Sequence, residues 1–123
     1  MKRIMMQVYV RGSAEAIETY QRAFGATLGD HARYPDGTFY HSELAVGGAV
    51  LAVAELPKND TGMTGDIMQF CLHFNPTEEA ELRKAYDVLV EGANILSPLG
   101  PVDFSPCMAD LIDRFGVRWC LFL

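Results

Sequence analysis

His41 and Glu43 stand two residues apart in Phe39-Tyr40-His41-Ser42-Glu43-Leu44-Ala45-Val46. On a strand that spacing turns both side chains to one face, where a carboxylate can orient an imidazole for proton transfer. The two are therefore the candidate catalytic pair, although the same spacing also serves a solvated or cross-strand ion pair. Arg118 and Cys120 are spaced in the same way. The Arg fork can hold a carboxylate or phosphate ligand, or an acidic side chain of this protein. The Cys120 thiol beside it is either activated by the positive charge or buried and inert. Two further alternating sets, Gln7 with Tyr9 and Gln69 with Cys71 and His73, carry polar, thiol and aromatic groups suited to lining a ligand site.

The elements that must position these residues are strands, and the closing stretch shows how. Asp113 to Gly116 reads as a tight turn. After it Val117, Trp119, Leu121 and Leu123 point one way as a core face, while Arg118, Cys120 and Phe122 point the other. The same rule applied elsewhere puts Met5, Gln7, Tyr9 and Arg11 opposite Met6, Val8 and Val10. It puts His41, Glu43 and Ala45 opposite Leu44 and Val46, Ala52 and Ala54 opposite Leu51 and Val53, and Gln69, Cys71 and His73 opposite Phe70, Leu72 and Phe74. Such a mixed lining suits a pocket better than a packed interior, where each unpaired polar group costs roughly 1 to 3 kcal/mol.

In chain order, Ile4 to Arg11 reads as a strand. A helix follows, with Ser13 as its expected N-cap, a stripe at Ala16, Ile17, Tyr20, Ala23 and Phe24, and Gly25 as its stop. Strands are expected over 26–34 and 39–46, separated by Pro35-Asp36-Gly37, and over 49–55 after the Gly47-Gly48 hairpin. From Pro57 to Asp66 the composition turns polar and aperiodic. The order then repeats: a strand over 68–74, a helix opening at Asn75-Pro76 with a stripe at Leu82, Tyr86, Leu89 and Val90, and a stop at Gly92. A short strand over 93–96, a loop over 97–101, and a segment around 108–112 before the closing strand complete the second half. The repetition is read as an internal duplication. The chain is expected to form one domain over 1–123, with modules at about 4–56 and 68–123 and a connection at about 57–67.

Composition narrows the function. The chain has 123 residues, half of them hydrophobic, and a net charge of -6. Its Lys and Arg are scattered rather than clustered, which argues against a nucleic-acid partner, and no apolar run approaches the length of a membrane span. Cys71, Cys107 and Cys120 are odd in number and lack close metal-type spacing, so a reducing cytoplasm with free thiols is expected.

Ala14-Glu15-Ala16-Ile17 with Tyr20-Gln21-Arg22-Ala23-Phe24-Gly25-Ala26, His41-Ser42-Glu43-Leu44 before Gly47-Gly48, and Asp113-Arg114-Phe115-Gly116-Val117-Arg118-Trp119 together resemble the PhnB-like branch of the vicinal oxygen chelate superfamily. That superfamily includes glyoxalase I, bleomycin-binding proteins, fosfomycin-resistance transferases and extradiol dioxygenases. The resemblance implies an α+β fold in which two tandem βαβββ modules form a curved, partly closed mixed sheet with helices on the outer face, a cavity on the concave side, and usually a homodimer. It also implies where metal-using relatives hold a divalent ion: at about Met5, Ala52 or Ala54, Gln69 and Cys120. Only Gln69 is a conventional ligand there, so no cofactor is expected. Branch members often carry Trp and His in the loop before the last strands, where this chain has Phe104 and Pro106. The expected function is binding of a small molecule of unknown identity, with Gln7, Tyr9, Gln69, Cys71, His73, Phe104, Arg118, Cys120 and Phe122 as ligand contacts. The alternatives are a metal-dependent lyase or transferase, an acid-base enzyme using His41 and Glu43, and a resistance protein that sequesters a flat drug on Tyr9, Phe104 and Phe122.

Overall fold

Gly12, with φ at 86°, lets the chain leave the first strand and enter the first helix without the steric cost a side chain would bring. The structure, a computed structural model, describes residues 1–63, 65 and 67–123; Thr64 and Asp66, in the expected connection, lie outside the described residues. Two compact units, Met1–Met63 and Thr64–Leu123, divide the chain.

The first unit runs β1 (Met6–Val10), α1 (Ser13–Phe24), β2 (Thr27–Arg33), β3 (Phe39–Val46) and β4 (Ala49–Glu55). Its sheet has the order β1-β4-β3-β2, with β1 parallel to β4 and the other pairs antiparallel. Ala16, Ile17, Tyr20 and Ala23 of α1 are buried with Val10, Phe39, Leu44, Leu51 and Val53 of the strands, as the two periodicities require. The start of α1 differs from expectation. Ser13 is the first helical residue and fully buried, and its hydroxyl accepts the Phe39 amide at 2.8 Å instead of capping its own helix. The cap comes from Glu55, whose carboxylate accepts Gly12 N at 3.0 Å and Ser13 N at 2.6 Å. A carboxylate there satisfies orphan amides and faces the positive end of the helix dipole.

The second unit repeats the order: β5 (Phe70–His73), a 3-10 turn over Pro76–Glu78, α2 (Glu79–Leu89), β6 (Asn94–Val102), β7 (Ser105–Ile112) and β8 (Arg118–Phe122), in a sheet β5-β8-β7-β6 with β5 parallel to β8. The architecture is thus α+β, with two tandem βαβββ modules and two four-stranded mixed sheets, neither closed into a barrel. At the helix entry Asn75 donates to the Glu78 carboxylate from its backbone amide at 2.8 Å and from its side chain at 3.0 Å. Leu82, Ala85 and Leu89 form the buried face of α2; Tyr86 and Val90 are half-buried.

Residues 97–101, expected as a loop, belong to β6, which pairs with β7 through Ser97, Gly100 and Val102 in an interrupted register. Pro98 and Pro101 hid the strand in the sequence. They are tolerated because β6 is an edge strand, where one side of the backbone needs no partner. The hairpin turn is Asp103–Phe104.

In β8 the expected alternation holds: Trp119 and Leu121 are buried, and Arg118, Cys120 and Phe122 are half-buried. Asp113 fixes the turn before it, taking the Phe115 and Val117 amides on Oδ1 at 2.9 and 3.0 Å.

Candidate functional site

In the first module, β4 lies between β1 and β3, with Gln7 and Glu43 both in register with Ala52. Ala52 presents only a methyl group, so the longer side chains on either side can meet across it. His41 joins them: its Nδ1 lies 2.9 Å from Gln7 Oε1 and its Nε2 3.3 Å from Glu43 Oε1. Glu43 is gripped from its other side by Arg3, whose two terminal nitrogens donate to Oε2 and Oε1 at 3.0 and 2.7 Å. The hydrogen bond from Arg3, and after it that from His41, hold the Glu43 carboxyl below the ordinary range against an opposing effect of burial. The result is an imidazole held at both ring nitrogens and a carboxylate committed to its ionised form. Tyr9, on the same side of β1, is 58% exposed.

Ala52 and Ala54 were expected to line a pocket, but they are 0% and 2% exposed. β4 is an interior strand, and the Gln7–His41–Glu43 chain bridges over Ala52; the two alanines are the floor that lets polar groups converge. His31 is exposed, with its Nδ1 2.8 Å from the Gly29 carbonyl oxygen and its ring edge-on to Phe39.

The second module carries the matching row. Cys71, Cys120 and Asp110 are register partners on β5, β8 and β7, where the first module has Gln7, Ala52 and Glu43. Asp110 organises this row. Arg118 donates to it from Nε at 3.2 Å and from a terminal nitrogen at 2.8 Å, and Gln69 Nε2 donates to it at 2.8 Å. The Gln69 carbonyl end in turn accepts the Cys71 thiol at 3.6 Å. Arg118 therefore spends its fork on an internal carboxylate. The Cys120 thiol is pushed up to about 11, chiefly by burial and then by the neighbouring Cys71 and Asp110, with Arg118 pulling the other way. That is the inert of the two alternatives for this thiol. Further along, the His73 ring stacks on Phe122 at 4.5 Å, and Phe104 meets Phe122 edge-on at 5.9 Å. Phe104 is 67% exposed, so an aromatic step borders the polar row.

Sequence reasoning missed Asp110 and Arg3. Asp110 could have been found, because it is the single charge in the apolar run Met108-Ala109-Asp110-Leu111-Ile112. Arg3 could not, since its partner is 40 residues away and two strands across.

The positions that the resemblance implies for a divalent ion, about Met5, Ala52 or Ala54, Gln69 and Cys120, carry here a thioether, a buried methyl group, an amide engaged with Asp110 and Cys71, and a thiol pushed up by burial. Among the described residues no group of three or more His, Cys, Asp or Glu side chains is placed to hold an ion. This donor set does not fit an inherited centre, which needs three or four N, O or S ligands.

A model of the glyoxalase/bleomycin resistance protein/dioxygenase superfamily matches residues 2–121, and the chain belongs to that superfamily. A PhnB protein from Bacillus cereus, described as a putative 3-demethylubiquinone-9 3-methyltransferase, is 25% identical with a TM-score of 0.86 over 99% of both chains, which supports the PhnB-like branch. The Pseudomonas aeruginosa protein PA1353 is 23% identical with a TM-score of 0.82, covering 99% of this chain and 97% of its own. The fosfomycin resistance protein FosX from Listeria monocytogenes, as an E126Q mutant complexed with Mn(II) and 1S,2S-dihydroxypropylphosphonic acid, is 10% identical with a TM-score of 0.66 over 99% and 90% of the chains; it shares the fold. No curated protein matches the sequence. No helix among the described residues is long and apolar enough to cross a membrane.

Proposed function

We propose that this chain is a small-molecule-binding protein that works without the divalent metal centre of its metal-using relatives. The observation that carries the reading is the pair of hydrogen-bonded rows, Gln7–His41–Glu43 and Gln69–Asp110–Arg118. Each sits on the open face of a sheet and leaves donors, acceptors and rings half-exposed, as an orienting site for a polar ligand requires. Gln7, Tyr9, Gln69, Cys71, His73, Phe104, Arg118, Cys120 and Phe122 are the proposed contacts, and the protein acts in the cytoplasm as a homodimer. A thermal-shift screen of metabolites and antibiotics, followed by calorimetry, tests the binding. Elemental analysis with Ni, Zn, Mn and Fe titration tests the metal, and stoichiometric tight binding of one of these ions sinks the metal-free reading. Sedimentation giving a monomer at micromolar concentration removes the dimer.

A second reading, acid-base catalysis, is favoured by one observation: His41 is positioned at both ring nitrogens, by Gln7 and by a carboxylate that Arg3 keeps ionised. In that reading His41 transfers the proton and Glu43 orients it. A His41→Ala variant that kept every activity of the wild type would end it.

A further inference from the structure

We propose that Tyr34 and Tyr40 are an oxidative modification site, at which hydrogen peroxide acting through a haem peroxidase joins the two rings as a dityrosine within one chain. The rings meet edge-on, with centroids 5.6 Å apart and planes at 82°, an arrangement that aromatic pairs prefer. Tyr34 is 43% exposed and Tyr40 65%, so a one-electron oxidant reaches either ring. Neither residue belongs to the two hydrogen-bonded rows, and the site is independent of the small-molecule reading.

The β2–β3 hairpin holds the rings together. Its register pairs Ala32 with His41 but Arg33 with Phe39, which leaves Tyr40 as the extra residue of a bulge. Phe39 and Ser42 are therefore both buried although strict alternation forbids it, and Tyr40 is turned out to solvent. Beyond the strand end the Tyr34 amide donates to the Thr38 carbonyl at 2.8 Å, and the Tyr34 carbonyl accepts the Gly37 amide at 3.0 Å. Arg33 ties the same turn to the core, donating to the Gly37 carbonyl at 2.8 Å while its guanidinium lies 4.1 Å over the Phe39 ring. Both tyrosine backbones are thus fixed, and the exposed side chains reorient on the picosecond to nanosecond scale. Two reactants on one hairpin meet without a bimolecular collision.

In the reaction each phenol gives one electron and its hydroxyl proton to the oxidant. The two phenoxyl radicals couple through carbons ortho to oxygen, and the hydrogen on each joined carbon moves through solvent to the ring oxygen, restoring two phenols. Peroxide takes up both electrons and both protons and leaves as two molecules of water, so the chain ends two hydrogens lighter. The new carbon–carbon bond staples the turn end of the hairpin, and thiols do not reverse it.

Treatment with a haem peroxidase and hydrogen peroxide tests the proposal, after the exposed Cys71 thiol has been blocked with N-ethylmaleimide so that it does not quench the radicals. The wild type is expected to give a monomeric product two hydrogens lighter with the fluorescence of a biphenol, and tandem mass spectrometry to place the bond between Tyr34 and Tyr40. Its yield per chain should hold across an about tenfold dilution, as an intramolecular step requires. Tyr34→Phe and Tyr40→Phe are each expected to lose the monomeric product, and Tyr9→Phe, at another exposed tyrosine, to keep it. Biphenol found only in covalent dimers, a monomeric product that survives in Tyr34→Phe or Tyr40→Phe, or no biphenol under conditions that couple N-acetyltyrosine, overturns it.

Discussion

Trp119 donates its indole N–H to Asp113 Oδ2 at 2.8 Å, while Oδ1 of the same carboxylate holds the two turn amides. Both residues are buried, at 2% and 5% exposure. One side chain thus sets the turn that begins β8 and the depth at which its largest ring packs. Asp113→Ala is expected to destabilise the second module by about 3 kcal/mol, because an indole donor and backbone amides lose a charged acceptor in a dry site. Urea unfolding followed by Trp119 fluorescence measures the loss, and a change under about 0.5 kcal/mol, the scale of an ordinary surface substitution, contradicts the assignment.

Glu55 acts at a distance on α1. Burial is the largest single influence on its carboxyl and pushes upward, but the Gly12 and Ser13 amides with the Ser13 side chain together outweigh it, and the group lies below its ordinary value of 4.5. A lowered folded value means the stabilisation is fully present above the ordinary value and is lost as pH falls through the folded one. Glu55→Ala is expected to cost about 1 kcal/mol at neutral pH, and Glu55→Gln to flatten the loss of stability below pH 4.5. Acid titrations monitored by circular dichroism compare the three proteins, and parallel curves disprove the cap's role in acid sensitivity.

Arg3 keeps Glu43 ionised. With its two hydrogen bonds removed in Arg3→Ala, the Glu43 carboxyl is expected to titrate at a higher pH than in the wild type, the direction opposite to the present shift. Carboxyl carbon NMR reads this directly. An unchanged midpoint shows that His41, not Arg3, governs the carboxylate.

The thiols should differ in reactivity. Cys71 is exposed, Cys107 is buried, and Cys120 is pushed up to about 11. At pH 8 only about one Cys120 in a thousand is then a thiolate. Iodoacetamide at that pH should label Cys71 first, and Cys120 labelling should rise roughly tenfold per pH unit up to its titration point. Peptide mass spectrometry over a pH series tests the order, and early labelling of Cys120 contradicts it.

Much of the fold was legible because local rules decide it. Alternation in β3 and β8 was readable from Leu44, Trp119 and Leu121, and Gly25 marked its helix end, because side-chain period and positive φ are properties of the chain itself; in β4 it was not, since Ala52 and Ala54 are as buried as Leu51 and Val53. The β6 edge was not legible: Pro98 and Pro101 are strand breakers unless one side of the strand is unpaired, and pairing is not written locally.

The site divides along the same line. From the sequence alone came the residues that share a face, His41 with Glu43, Gln69 with Cys71 and His73, and Arg118 with Cys120, since alternation needs no partner strand. Only the tertiary structure decided what each one meets. It brought Arg3 across two strands to Glu43, gave Arg118 and Gln69 to Asp110, set Cys71 beside Cys120, and replaced Ser13 with Glu55 at the helix start. Those outcomes depend on strand order and register, which arise from packing of the whole sheet rather than from any one stretch of the chain.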